Sequence, residues 1–288
     1  MSGTERRSGS GLTRQRRRLS EEEVEQAMMR AAIAMVDESG LTVSLDHIGF
    51  VDVIQAAGVP RTAVYRRWPS KDEFVADLLK ELAKGASPAV AGGNPEALAA
   101  TRRVILDRLD WLRRPETRTA LIAEVLRQGA AKELQALHRS AGWRTYIALH
   151  ATFLSLPPDG DLRRAVQQGL IASERALTGQ LADAYRSYTQ LLGCRLRPEL
   201  GATFEDLARL VNAAMRGLVV MLPAGPELAE RTLHADPFGT DTVDEWSQPA
   251  LAMASIAMTF IEADPDAEFD EERIASVREA LRAARSPR

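Results

Sequence analysis

Arg61, Arg66 and Arg67, with Thr62 and Tyr65 between them and Lys71 just beyond, gather cations and hydroxyls into one short stretch. A guanidinium forks onto paired acceptors, such as one edge of guanine or two phosphate oxygens. A lysine ammonium is a point charge for phosphate. Hydroxyls of Thr and Tyr bond phosphate or base edges. Together they suit the recognition of a polyanion rather than bond making. A second basic stretch lies upstream. Residues 1–18 carry Arg6, Arg7, Arg14, Arg16, Arg17 and Arg18 against Glu5, a charge of +5. The segment is rich in Ser and Gly and nearly free of apolar residues, so it is expected to be a disordered arm that meets phosphates or a minor groove.

Bulk charge hides this arrangement. The chain has 288 residues, 37 Lys+Arg against 40 Asp+Glu and a formal charge of −3. Residues 19–80 carry 6 basic and 11 acidic residues, and residues 81–288 carry 25 and 28. Apolar residues make up 45%, enough for a buried core. The single cysteine, Cys194, excludes an internal disulfide framework. The longest nearly apolar run, 250–261, is too short for the roughly 20 residues of a membrane span, and no apolar run follows the N-terminal arginines. A cytoplasmic protein with no membrane partner is expected.

The elements that must position the cations are readable. Ser20 and Glu23 form a capping box, and Val24, Met28, Ala31, Ala32, Met35 and Val36 recur at helical spacing, giving a helix over 20–39 ended by Gly40. A second helix covers about 50–57. Gly58 and Pro60 then separate it from a short helix carrying the arginines, which is helix-turn-helix grammar. Val64 and Trp68, four apart, face the core. Ser70 and Glu73 form a second capping box and start the next helix.

The run Ala57-Gly58-Val59-Pro60-Arg61-Thr62-Ala63-Val64-Tyr65-Arg66-Arg67-Trp68-Pro69-Ser70-Lys71-Asp72-Glu73-Phe74 resembles the DNA-binding signature of TetR-family transcriptional regulators. Turn, Tyr, aromatic residue and Lys fall at the spacing of that pattern. The likeness covers about residues 20–80, and the connection before 53–58 looks a few residues longer than the common pattern. The resemblance implies an all-α protein: a disordered basic arm (1–19), a three-helix DNA-binding domain (20–84) and a helical ligand-binding and dimerisation domain (85–288). It implies double-stranded DNA as partner. Arg61, Thr62, Ala63, Tyr65, Arg66, Arg67 and Lys71 would contact it, together with Arg16, Arg17 and Arg18 of the arm. Arg61 and Thr62 would reach base edges; Tyr65 and Lys71 would hold phosphates.

Residues 88–95 read as a linker. Helical patterns follow at about 95–113, 116–137, 140–156, 160–192, 204–222, 242–263 and 270–284, with no strand-like alternation. No metal-ligand spacing of His47, His138, His150 and His234 appears, nor any nucleotide-binding glycine motif or nucleophile elbow, so no metal, cofactor or catalytic residue is expected. Cys194 reads as part of a helix-ending loop, and Asp244-Glu245 and Asp270-Glu271-Glu272 as solvated helix starts. A two-fold DNA site needs a dimer, and 204–222 and 242–263 are the interface candidates. An apolar pocket for a small apolar or amphipathic effector would be lined from Trp111, Trp143, Tyr146, Tyr185 and Met215, with Phe153, Tyr188 and Met221 as further candidates.

Overall fold

The computed structural model describes residues 19–39, 48–85, 95–239 and 242–283. The arm, Gly40 and most of the 88–95 linker lie outside them. Helix α1 (Glu21–Ser39) starts at a reciprocal cap: the Glu23 amide donates to Ser20 Oγ (3.1 Å) and the Ser20 amide to Glu23 Oε2 (2.8 Å). Helix α2 (Phe50–Ala57) ends at Gly58, whose φ of 64° suits a residue without Cβ. Pro60 leads into α3 (Arg61–Arg67), and Ser70 caps α4 (Lys71–Lys84). These four helices close on Met28, Val53, Val64, Trp68, Phe74 and Leu78, all essentially without exposed surface. Phe74 lies at the centre, 5.1 Å from the Phe50 ring and 5.2 Å from Trp68.

The rest of the chain is also mostly helical: α5 (Pro95–Asp107), α6 (Pro115–Arg139), α7 (Ala141–Ser155), α8 (Asp161–Leu191), α9 (Phe204–Met221), α10 (Glu227–Glu230), α11 (Gln248–Phe260) and α12 (Glu271–Ala283). The all-α class is therefore right in the main. Among the described residues four strands interrupt it, against the expectation of none. Strand β1 (Cys194–Leu196) pairs antiparallel with β4 (Ile261–Ala263), and β2 (Thr232–Ala235) with β3 (Asp244–Ser247). Strands of three or four residues are too short for alternation to show. Cys194 is thus in a strand, entered through Gly193 at φ 64°, not in a loop. Asp244 and Glu245 sit in β3 rather than opening a helix. The expected 242–263 helix is shorter because Ser247 Oγ accepts from the Ala250 amide (3.3 Å) and Pro249 occupies the first turn, fixing the start at Gln248.

One apolar core runs from α1–α4 into α6, α7, α8 and α11, and a second gathers α5, α12 and the β1–β4 end. The 31-residue α8 joins them. It crosses α4 at Gly169, where an added Cβ would lie 2.8 Å from Ala83 Cβ, so only glycine permits this approach. Among the described residues no helix is long and apolar enough to cross a membrane.

Candidate nucleic-acid interface

Helix α3 has two unlike sides. Val64 and the following Trp68 are buried, and Ala63 is half-buried against the core. Arg61, Thr62, Tyr65 and Arg66 point outward. None of these four side chains makes a hydrogen bond or ion pair with a described residue. Tyr65 is 45% exposed, and its ring meets Phe50 edge-on at 5.6 Å, which fixes the ring and leaves the hydroxyl outward. Lys71, half-buried in the first turn of α4, is likewise unpaired there. A helix start favours an anion near that turn. Guanidinium, hydroxyl and ammonium donors are thus held on one rigid scaffold with no side-chain acceptor among the described residues.

Arg67 departs from the expectation that it contacts DNA. Its Nε donates to Glu25 Oε2 of α1 (3.0 Å) and its Nη2 to Asp77 Oδ2 of α4 (2.9 Å), while the guanidinium lies 4.8 Å from the centre of the Trp68 ring. The Glu25 bond, against the cost of burial, holds Arg67 above its ordinary pKa, with the Glu25 and Asp77 charges adding. Arg67 is a brace between α1, α3 and α4. Asp77 is the other half of that brace. It also accepts from Trp68 Nε1 (3.0 Å) and Lys80 Nζ (2.8 Å). Burial pushes the Asp77 carboxyl up, but the bonds from Lys80 and Trp68 and the charges of Lys80 and Arg67 outweigh burial and leave it below its ordinary value. Adjacent arginines in a sequence look alike; only the fold brings Glu25 and Asp77 to one of them.

A cavity of about 300 Å³ lies between α5, α6, α8, α9, α11 and β4. Tyr185, Tyr188 and Met215, three of the sequence candidates, line it. Trp111, Trp143 and Tyr146 do not. Trp111 lies under the Arg108 guanidinium at 5.4 Å. Trp143 and Tyr146 are buried and stacked at 5.2 Å. The Tyr146 hydroxyl donates to Glu174 Oε1 (2.5 Å) and receives a bond from Arg216, so its polar end is already satisfied. Phe153 is covered by Arg163, and Met221 is exposed. The actual walls are mainly aliphatic: Ile105, Ile122, Val125, Leu181, Val211 and Met253 are among them. Such residues carry no signal that separates wall from core.

The interface candidates also divide. Helix α11 spends Pro249, Ala250, Met253, Ala254 and Ala257 inside the chain, leaving Ser255 and Thr259 exposed. Helix α9 presents Leu210 (50% exposed), Val220 (55%) and Met221 (57%), with exposed Ala213 and Gly217 on the same side. Among the described residues no group of three or more His, Cys, Asp or Glu is arranged to hold a metal ion. Comparison with family models, curated proteins and solved structures gave no match to this chain.

Proposed function

We propose that the chain is a cytoplasmic, sequence-specific DNA-binding regulator of the TetR kind, a homodimeric repressor released by a small ligand. The observation that carries the reading is the outward face of α3, where Arg61, Thr62, Tyr65 and Arg66 stand unpaired on a helix anchored from behind by Val64 and Trp68. In this reading α2, the Gly58 turn and α3 form a helix-turn-helix. The N-terminal end of α3 enters the major groove, Arg61 and Thr62 meet base edges, and Tyr65 and Lys71 hold phosphates. Arg16, Arg17 and Arg18 of the arm, outside the described residues, add phosphate or minor-groove contacts. The apolar stripe of α9, with what α11 leaves exposed, pairs two copies so that two α3 helices address a two-fold site. The cavity favours a ligand-responsive regulator over a ligand-independent one. A ligand that binds better to the conformer with mis-spaced α3 helices shifts the population off DNA.

The test is a gel-shift titration on DNA flanking the chain's own coding region, with nonspecific DNA as control. Losing a bidentate base contact costs about 1–3 kcal/mol. Arg61→Ala with Tyr65→Ala should therefore weaken specific binding at least about tenfold. Arg67→Ala should lower thermal stability while leaving sequence preference in place. Undiminished specific binding by the double variant refutes the assignment of α3.

A further inference from the structure

The walls of the cavity restrict what can occupy it. Among the described residues no Lys, Arg or His lines it, and Glu133 is its one carboxylate. An anion placed there would lose its hydration, find no cation and meet the Glu133 charge, so carboxylates and phosphates are disfavoured. Its hydroxyls are a different matter. Tyr185 and Thr189 are four apart on α8, so they share a face. Neither side chain hydrogen-bonds a described residue, although Thr189 is only 4% exposed. Burial, reinforced by the Glu133 charge, raises the Tyr185 pKa, so this hydroxyl keeps its proton and can donate.

The volume also looks reserved. Gly129 sits within the 25-residue α6 and lines the cavity, where an added Cβ would meet nothing nearer than Thr101 Oγ1 at 3.9 Å. Glycine within a helix costs about 1 kcal/mol relative to alanine. Here it leaves open space that a side chain would fill. A dry cavity of about 150 Å³ holds benzene; this one is about 300 Å³, room for about two fused rings or a branched chain of similar bulk.

We propose that this cavity takes a neutral, mainly hydrocarbon ligand of two-ring size with one hydrogen-bond acceptor, held by the Tyr185 hydroxyl. Binding stands on the cavity alone; its role as effector rests on the proposed function.

The probes are naphthalene, 2-acetylnaphthalene and 2-naphthoate, titrated against the full-length protein by ligand-observed NMR and thermal shift. The ketone is expected to bind tightest. The naphthoate should be at least tenfold weaker than the ketone, because it carries a charge into a site without a cation. Tyr185→Phe should weaken the ketone by about three- to tenfold, the worth of one hydrogen bond, and leave naphthalene unchanged. Gly129→Leu should abolish binding of both neutral probes while holding or raising the melting temperature, which separates a filled cavity from an unfolded protein. Naphthoate binding as tight as the ketone, equal losses of ketone and naphthalene in Tyr185→Phe, or no binding of either neutral probe would overturn the proposal. DNA binding is scored separately in the gel shift. Ketone binding without any loss of DNA affinity would defeat the ligand response and leave the cavity assignment intact.

Discussion

Asp77 offers a sharp test of how α3 is held. Replacing it with alanine removes the acceptor for Trp68 Nε1, Arg67 Nη2 and Lys80 Nζ together. The indole N–H belongs to a fully buried ring and would lose its partner, at about 1–3 kcal/mol. The two cationic contacts are partly open to water and are worth about 0–1 kcal/mol each. The expected loss is about 1–5 kcal/mol, large against an ordinary surface change of about 0.5. Asp77→Asn keeps an oxygen for the indole and loses only charge, so about 1 kcal/mol is expected. Urea unfolding at pH 7 measures both losses from the midpoint shift. The pH dependence separates charge from shape. The Asp77 carboxyl lies below its ordinary 3.8, so its stabilisation is complete above that value and disappears as pH falls through the native-state value. The gap between wild type and Asp77→Asn should be constant from about pH 5 to 7 and close below about pH 4. A gap unchanged at pH 3, or an alanine variant as stable as wild type, refutes the brace.

Two other outcomes follow from close contacts. Gly169→Ala should force α4 and α8 apart, since its Cβ would also lie 3.1 Å from the Ala83 carbonyl carbon, and cost about 1–3 kcal/mol of stability. Adding Ala83→Gly should recover part of that loss; strictly additive effects in thermal unfolding would contradict the crossing. The Cys194 thiol is pushed up to about 12 by burial, with Arg118 opposing and Asp264 adding. It should ignore a disulfide reagent at pH 8 until the chain unfolds, and rapid reaction in the native protein would contradict its placement.

Local grammar made the first helices legible. Ser20–Glu23, Gly58, Pro60 and Ser70–Glu73 act on residues a few positions away, so α1–α4 form close to where the sequence places them. The burial of Trp68 followed from its spacing to Val64. The internal pairing of Arg67 was not legible because Glu25 is 42 positions away, and no local rule joins them. The β1–β4 pair escaped for the same reason, since β1 finds its partner only after α9 and α11 have passed, while β2 and β3 are simply too short for alternation to show. Aromatic residues are the natural candidates for cavity walls, yet Trp143 and Tyr146 stack on each other and the Tyr146 hydroxyl takes a bond from Arg216, while the walls are ordinary aliphatics supplied by five helices and a strand.

The β1–β4 pairing also orders the chain in time. Cys194 pairs with Ala263, and α9, β2, β3 and α11 are made between them. At a synthesis rate of about 5–20 residues per second, β1 waits several seconds for its partner. Met253, Ala257 and Ile261 are among the last pieces of the cavity wall to leave the ribosome. Until then Ile105, Ile122 and Leu207 face a gap, a sticky surface on a nascent chain. The α1–α3 contacts join close neighbours and need no such wait. On the growing chain the candidate DNA-reading helices therefore precede the finished cavity, which is complete only when residue 263 is free.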